Sequence, residues 1–177
     1  FINVQPWGTT TLEPIAQVIV RPNEPYAGNL PNEDSQSMAF DTSNLFSVNK
    51  FSGYDRIEGG GRANVGVQAT TQFNQGGAIK FMFGQSYQLF GLNSFAVADV
   101  TNTGVDSGLQ RTASDYVTSL AYSPNSTYNF STRARFDEAT KAMDMTTIIG
   151  LLPPTMLNTM ATEFGLEVDA LSAAMVE

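Results

Sequence analysis

The sequence predicts an all-β chain. It reads as about five antiparallel strands of an up-and-down transmembrane β-barrel fragment, with two long loops and a short α-helical C-terminal tail. Three observations carry this. Successive stretches alternate apolar and polar residues with a period of two. Every charge in those stretches lies on the parity opposite the apolar residues. Connections alternate between long and short, as external loops and periplasmic turns do. Composition agrees, because charged residues make up only 15% and aromatics 11% of the 177 residues, against roughly 25% charged in an ordinary soluble domain.

The first strand runs from Thr11 to about Arg21, with Leu12, Pro14, Ala16, Val18 and Val20 opposite Glu13, Gln17 and Arg21. Ile15 and Ile19 blur it, and Pro14 suits an end or a bulge. After a long connection over 22–59, Arg62 to Phe73 gives the cleanest alternation. Ala63, Val65, Val67, Ala69, Thr71 and Phe73 take one parity; Arg62, Asn64, Gly66, Gln68, Thr70 and Gln72 take the other. The turn Asn74-Gln75-Gly76-Gly77 leads into a third strand, where Ile79, Phe81, Phe83, Tyr87 and Leu89 alternate with Lys80, Met82, Gly84, Ser86 and Gln88. A second long connection over 88–114 precedes Tyr116, Thr118, Leu120 and Tyr122. The turn Ser123-Pro124-Asn125-Ser126 follows, then Tyr128, Phe130, Thr132, Ala134 and Phe136 opposite Asn129, Ser131, Arg133 and Arg135. From Lys141 the pattern changes to short amphipathic helices over 154–164 and 167–175. The chain therefore divides into a partial barrel domain, residues 1–140, and a helical tail, residues 141–177.

A Lys or Arg facing lipid near the bilayer midplane costs roughly 2 to 4 kcal/mol, and little when it faces an aqueous lumen. Arg62, Asn64, Gln68, Lys80, Arg133 and Arg135 are accordingly the expected lumen-facing residues. Strands of about 9 to 12 residues suit a tilted crossing, and aromatics bracket the apolar face as interfacial girdles do. About five strands do not close a barrel, because an open edge in lipid leaves backbone groups unpaired, so the segment belongs to something larger. A soluble antiparallel β-sandwich serving as a binding or adhesion module would share the alternation, and is the alternative.

Other classes are excluded by residue type. With no Cys and no His there is no thiol nucleophile, no Ser-His-Asp triad and no Cys or His metal site. The 9 Lys plus Arg against 17 Asp plus Glu give a formal charge of −8, with no basic run to neutralise phosphates, so nucleic acid is not a partner. No apolar run is long enough for a membrane helix; Met145 to Leu152 is interrupted by Gly150 and stopped by Pro153. Gly59-Gly60-Gly61 lacks the context of a phosphate loop, and Ser86 lacks a His partner. Glu33, Asp34 and Asp41 match no calcium-loop spacing and read as surface charge. No enzyme activity, cofactor or metal is expected. Phe1 follows no signal-peptide pattern, so the chain reads as a processed or excised piece.

The long first loop carries the most specific text: Asn32-Glu33-Asp34-Ser35, Asp41-Thr42-Ser43-Asn44-Leu45-Phe46 and Phe51-Ser52-Gly53-Tyr54-Asp55-Arg56-Ile57-Glu58-Gly59-Gly60. Arg62, Gly66 and then Gly84-Gln85-Ser86-Tyr87 follow. From about Thr11 to Glu138 this resembles the LptD family, the lipopolysaccharide-assembly proteins of the outer membrane also called organic solvent tolerance proteins, in the middle of their C-terminal barrel. The resemblance implies a large antiparallel barrel in the outer membrane of Gram-negative bacteria. That barrel takes lipopolysaccharide from a periplasmic β-jelly-roll bridge, holds an LptE-type plug lipoprotein and releases lipid into the outer leaflet through a seam between its first and last strands. That seam, the jelly roll and the family's disulfide cysteines lie outside this sequence. After Glu138 the family would continue with strands, and this sequence is expected to depart from it. Asp41, Asn44, Phe46, Tyr54, Asp55 and Arg56 are the expected loop-anchoring residues, with an ion pair and an aromatic anchor pinning a loop too long to be structureless.

Overall fold

A computed structural model describes residues 1–24, 26, 29, 31–35, 38–98, 103–125, 128–138 and 143–150, the last stretch by backbone pairing. Seven strands form one antiparallel sheet in chain order: β1 (Ile2–Gln5), β2 (Gly8–Val20), β3 (Gly61–Phe73), β4 (Ala78–Phe90), β5 (Tyr116–Ser123), β6 (Asn129–Phe136) and β7 (Met143–Gly150). Among the described residues there is no helix and no second sheet. The two-sheet sandwich is therefore not the architecture seen.

Three expectations change. Among the described residues the strands number seven rather than about five. β1 escaped notice because four residues, Ile2–Gln5, are too few to display a period. β7 pairs with β6 along its whole length, from Phe136↔Met143 to Asn129↔Gly150, so the β pattern does not end at Lys141. β2 also starts at Gly8 rather than Thr11, extended by its pairing with β1 and with Phe73 of β3. The helices expected over 154–164 and 167–175 lie outside the described residues.

The registers decide which side chains share a face. Glu13, Gln68, Met82, Ser119 and Arg133 form one transverse row, and Gln17, Asn64 and Ser86 another on the same face. Arg62, Lys80 and Arg135 join them through Arg62↔Gln88, Thr70↔Lys80 and Val117↔Arg135. The opposite face carries rows such as Leu12, Ala69, Phe81, Leu120 and Thr132, or Pro14, Val67, Phe83, Thr118 and Ala134. Ile15 and Ile19, which blurred the first alternation, sit on the charged face opposite Gly66 and Arg62.

The turns after β1, β3 and β5 lie at one end of the sheet and both long connections at the other. The Asn74–Gly77 turn reverses the chain with positive φ at Gly76 (94°) and Gly77 (90°), conformations open to glycine. At the far end the connections fold back over the charged face. Phe40, Leu45 and Phe51 from the first loop and Phe95 and Leu109 from the second bury themselves on it, with Val117 of β5 and flanking Met38, Phe46 and Met82. Gly66 and Gly84, paired across β3 and β4, leave the flat place where this core lands. A Cβ on Gly66 would stand 3.2 Å from Phe46 Cζ, and one on Gly84 would collide with Leu45. The arrangement inverts a water-soluble domain. The loop-side half of the charged face is covered, while Leu12, Val18, Val20, Val65, Phe81, Phe83, Leu89, Leu120 and Tyr122 on the other face stay exposed.

Candidate functional site

Beneath the loops lies a closed polar network on β2, β3 and β4. Arg62, 3% exposed, is its centre. Its Nε lies 3.0 Å from Glu58 Oε2, close but not aligned as a hydrogen bond. Nη1 donates to Ser86 Oγ (3.3 Å), and Nη2 to Gln88 Oε1 (2.8 Å) and Asn93 Oδ1 (3.4 Å). The guanidinium stands 5.0 Å from the Phe95 ring centre, and Phe95 stacks on Phe51 at 4.4 Å. One cation thus ties β3, β4 and both loops together.

Glu58 has a second cation. Lys50 Nζ is 3.7 Å from its Oε2, and the Lys50 backbone N–H donates to its other oxygen. Lys50 Nζ also reaches Asn64 Oδ1 at 3.4 Å. Asn64, fully buried, donates to Gln17 Oε1 (2.7 Å) and accepts from Ser86 Oγ (2.6 Å). Burial pushes the Lys50 amine down to about 8 from 10.5, although the Glu58 charge opposes the change. Lys50 lies in the loop, outside the strands.

A second cluster forms where β5 begins. Gly84 pairs with Val117 but Tyr87 bridges to Ala113, so this side of the seam holds one residue more than β4. The surplus is a β-bulge, and it presents Asp115 to several partners. Asp115 accepts from Arg111 Nη2 (2.6 Å) and lies 3.5 Å from Arg135 Nε, and Arg111 also meets Asp137 at 3.3 Å. Ser114 completes the seam, its carbonyl accepting from Gln85 Nε2 (2.7 Å) and its Oγ from the Ser86 N–H (2.9 Å).

The remaining expected residues separate into two groups. Asp41 Oδ2 receives Arg133 Nη1 at 3.2 Å, tying the first loop to β6. Asn44 accepts from the Asp41 N–H and donates to the Ala39 carbonyl, and Gln17 Nε2 donates to the Phe46 carbonyl at 3.0 Å. Arg56 is buried. Tyr54 differs from the expectation: at 93% exposure its ring anchors nothing. Backbone groups do that work around Gly53 (φ 71°). Asp34 accepts the N–H groups of Tyr54 (2.8 Å) and Asp55 (3.0 Å), while Asp55 accepts those of Glu33 (2.7 Å) and Asp34 (3.2 Å). The first two bonds hold the Asp34 carboxyl below its ordinary 3.8. Gln68 and Lys80 share the charged face but lie toward the short turns; Gln68 bonds Glu13 (3.0 Å) and Lys80 is exposed.

Lys50, Glu58, Gln17, Ser86 and Asp115 are participants that the sequence reading did not place in a site. A signal existed for two of them. Lys50 and Glu58 bracket the Phe51-to-Arg56 text in a chain poor in charge.

A family model described as LptD, LPS transport system D, matches residues 3–149. The chain belongs to the LptD family. The match runs from β1 into β7, so the LptD pattern continues past Glu138, where a departure was expected, to residue 149. No curated protein matches the chain. The LptD family serves lipopolysaccharide transport at the outer membrane and is not a family of enzymes. Both loop clusters fall within the matched span, so the covered polar face belongs to the LptD part of the chain.

Proposed function

We propose that this sheet is a stretch of the wall of an outer-membrane β-barrel translocon that inserts lipopolysaccharide into the outer leaflet, with its apolar face against hydrocarbon and its charged face toward the lumen. One observation carries the reading: the bare face is the apolar one, and the face bearing Arg62, Lys80, Arg133 and Arg135 is the one whose loop-side half the loops cover. In water such a sheet would expose its apolar rows; in a bilayer the same rows are at rest. On β2 the outward row from Leu12 to Val20 covers eight residue steps. At ~3.4 Å per step and a tilt near ~40° this is roughly 20 Å of height, close to the ~25 Å apolar band of such barrels. Among the described residues β1 and β7 are the edge strands of an open sheet, and hydrocarbon does not tolerate unpaired edges, so in this reading further pairing completes the wall.

In this reading Arg62, Asn64, Gln68, Lys80, Arg133 and Arg135 line the lumen. The two loops close its loop-side end, leaving Glu13, Gln68 and Lys80 to border the wider polar space below. The periplasmic bridge and an LptE-type plug are partners reached through the rest of the barrel. Nitroxide labels at Val65 and Leu120, compared with Gln68 and Ser119, test the assignment in the membrane-assembled protein. Oxygen should relax the first pair more strongly, and an aqueous nickel reagent the second. Aqueous access at 65 and 120 would overturn it.

A further inference from the structure

We propose that Lys50 and Asn64 are joined by an intramolecular isopeptide bond, formed with release of ammonia, which fastens the first long loop covalently to β3. The chain has no cysteine, so any covalent tie of this loop must use other side chains. The Lys50 Nζ lies 3.4 Å from Asn64 Oδ1, one bond from the carbonyl carbon it would attack. The two residues are 4% and 0% exposed, so water, the competing nucleophile, is largely kept away.

The surrounding groups match the needs of amide exchange. A lysine amine becomes nucleophilic when desolvation lowers its proton affinity, and burial acts on Lys50 in that direction. Glu58 Oε2, 3.7 Å from Nζ, is placed to accept the proton the ammonium must lose. Ser86 Oγ donates to Asn64 Oδ1 at 2.6 Å, where negative charge develops during attack. Arg62 Nη1 donates to that same Oγ and so positions it. Asn64 Nδ2, the leaving nitrogen, is held by Gln17 Oε1, which fixes the amide plane.

The step balances without an oxidant or another reactant. The Lys50 ammonium gives one proton to Glu58, and the free amine forms a bond to Asn64 Cγ as the carbonyl electron pair moves to Oδ1. The pair returns, the Cγ–Nδ2 bond breaks, and Nδ2 takes the Glu58 proton together with the second proton of the attacking nitrogen. One secondary amide and one ammonium ion result. The inference holds whether or not the outer face meets lipid.

Peptide mapping of the full-length protein, purified from its outer membrane, denatured and digested with trypsin, tests this directly. The expected product is a branched peptide in which the segment ending at Arg56 is uncut after Lys50 and joined to residues 63–80, lighter than the two by one ammonia. Lys50→Arg, which keeps the charge, and Asn64→Ala should each abolish it. Glu58→Gln should reduce its yield at least tenfold while Lys50 and Asn64 remain. Recovery of separate linear peptides, one ending at Lys50 and one spanning 63–80 with Asn64 unchanged, would overturn the proposal. So would ammonia loss confined to a linear 63–80 peptide, since that marks ring closure on the backbone.

Discussion

Replacing Val67 by Arg puts a guanidinium at the middle of β3, on the outward face between Pro14 and Phe83. Its neighbour Gln68 lies one residue along and on the other face, bonded to Glu13. The two substitutions share chemistry, strand and depth, and differ only in the side of the sheet. Against hydrocarbon, Val67→Arg costs roughly 2 to 4 kcal/mol, which lowers the ratio of folded to unfolded protein roughly 30- to 700-fold. Gln68→Arg meets the Glu13 carboxylate in a polar space and changes stability by at most ~1 kcal/mol. Urea titration of the full-length protein refolded into phospholipid vesicles, read by the shift of the folded band on unheated gels, measures both. Midpoints displaced equally by the two substitutions would refute the assignment of faces.

Three further outcomes follow from the loop clusters. Arg62→Leu removes the buried partner of Glu58 and the hydrogen bonds to Ser86, Gln88 and Asn93, so the covered network should lose about 3 to 5 kcal/mol; protease cleavage within 21–60, timed on the folded protein, reports it. Gly84→Ala inserts a methyl group where Leu45 and the Val65 carbonyl already stand, which costs about 1 to 3 kcal/mol and should release the same loop, again seen as faster cleavage. Because Asp34 is held below 3.8 by the Tyr54 and Asp55 N–H groups, its contribution is complete above that pH and disappears as pH falls through the lower folded value. Amide exchange at Tyr54 and Asp55, corrected for intrinsic rates, should therefore accelerate below pH 3.8 and not between pH 5 and 7.

The strands were legible where the period was long and the charge informative. Thirteen residues of β3 repeat the alternation often enough to fix both strand and face, and the register confirms that Arg62, Asn64 and Gln68 share a face with Lys80, Arg133 and Arg135. β1, with four residues, was too short to show a period. β7 was obscured because its apolar Ile148-Ile149-Gly150 end leads straight into Leu151-Leu152, whose run of adjacent apolar residues suits neither alternation nor a spanning helix. Loop chemistry was legible only in part. Asp41 could be singled out as an anchor, but its partner Arg133 lies 92 residues away, a separation no local pattern reveals. Tyr54 misled because an aromatic beside Gly and Asp resembles an anchor until the turn is seen to hang on backbone N–H groups.

By itself the sequence determined the two-sidedness of the sheet, since alternation and the sorting of charge are properties of neighbours along one strand. It also determined the order of strands, because each turn or loop returns the chain beside the strand just made. A loop too long to be structureless was expected to fold back toward the lumen, and tertiary structure alone decided where on the charged face it lands. That outcome depends on Gly66 and Gly84 meeting across two strands to clear a landing place, and on Glu58 reaching Lys50 and Arg62 together. Such coincidences arise from register and loop closure, which bring together residues that no periodicity relates.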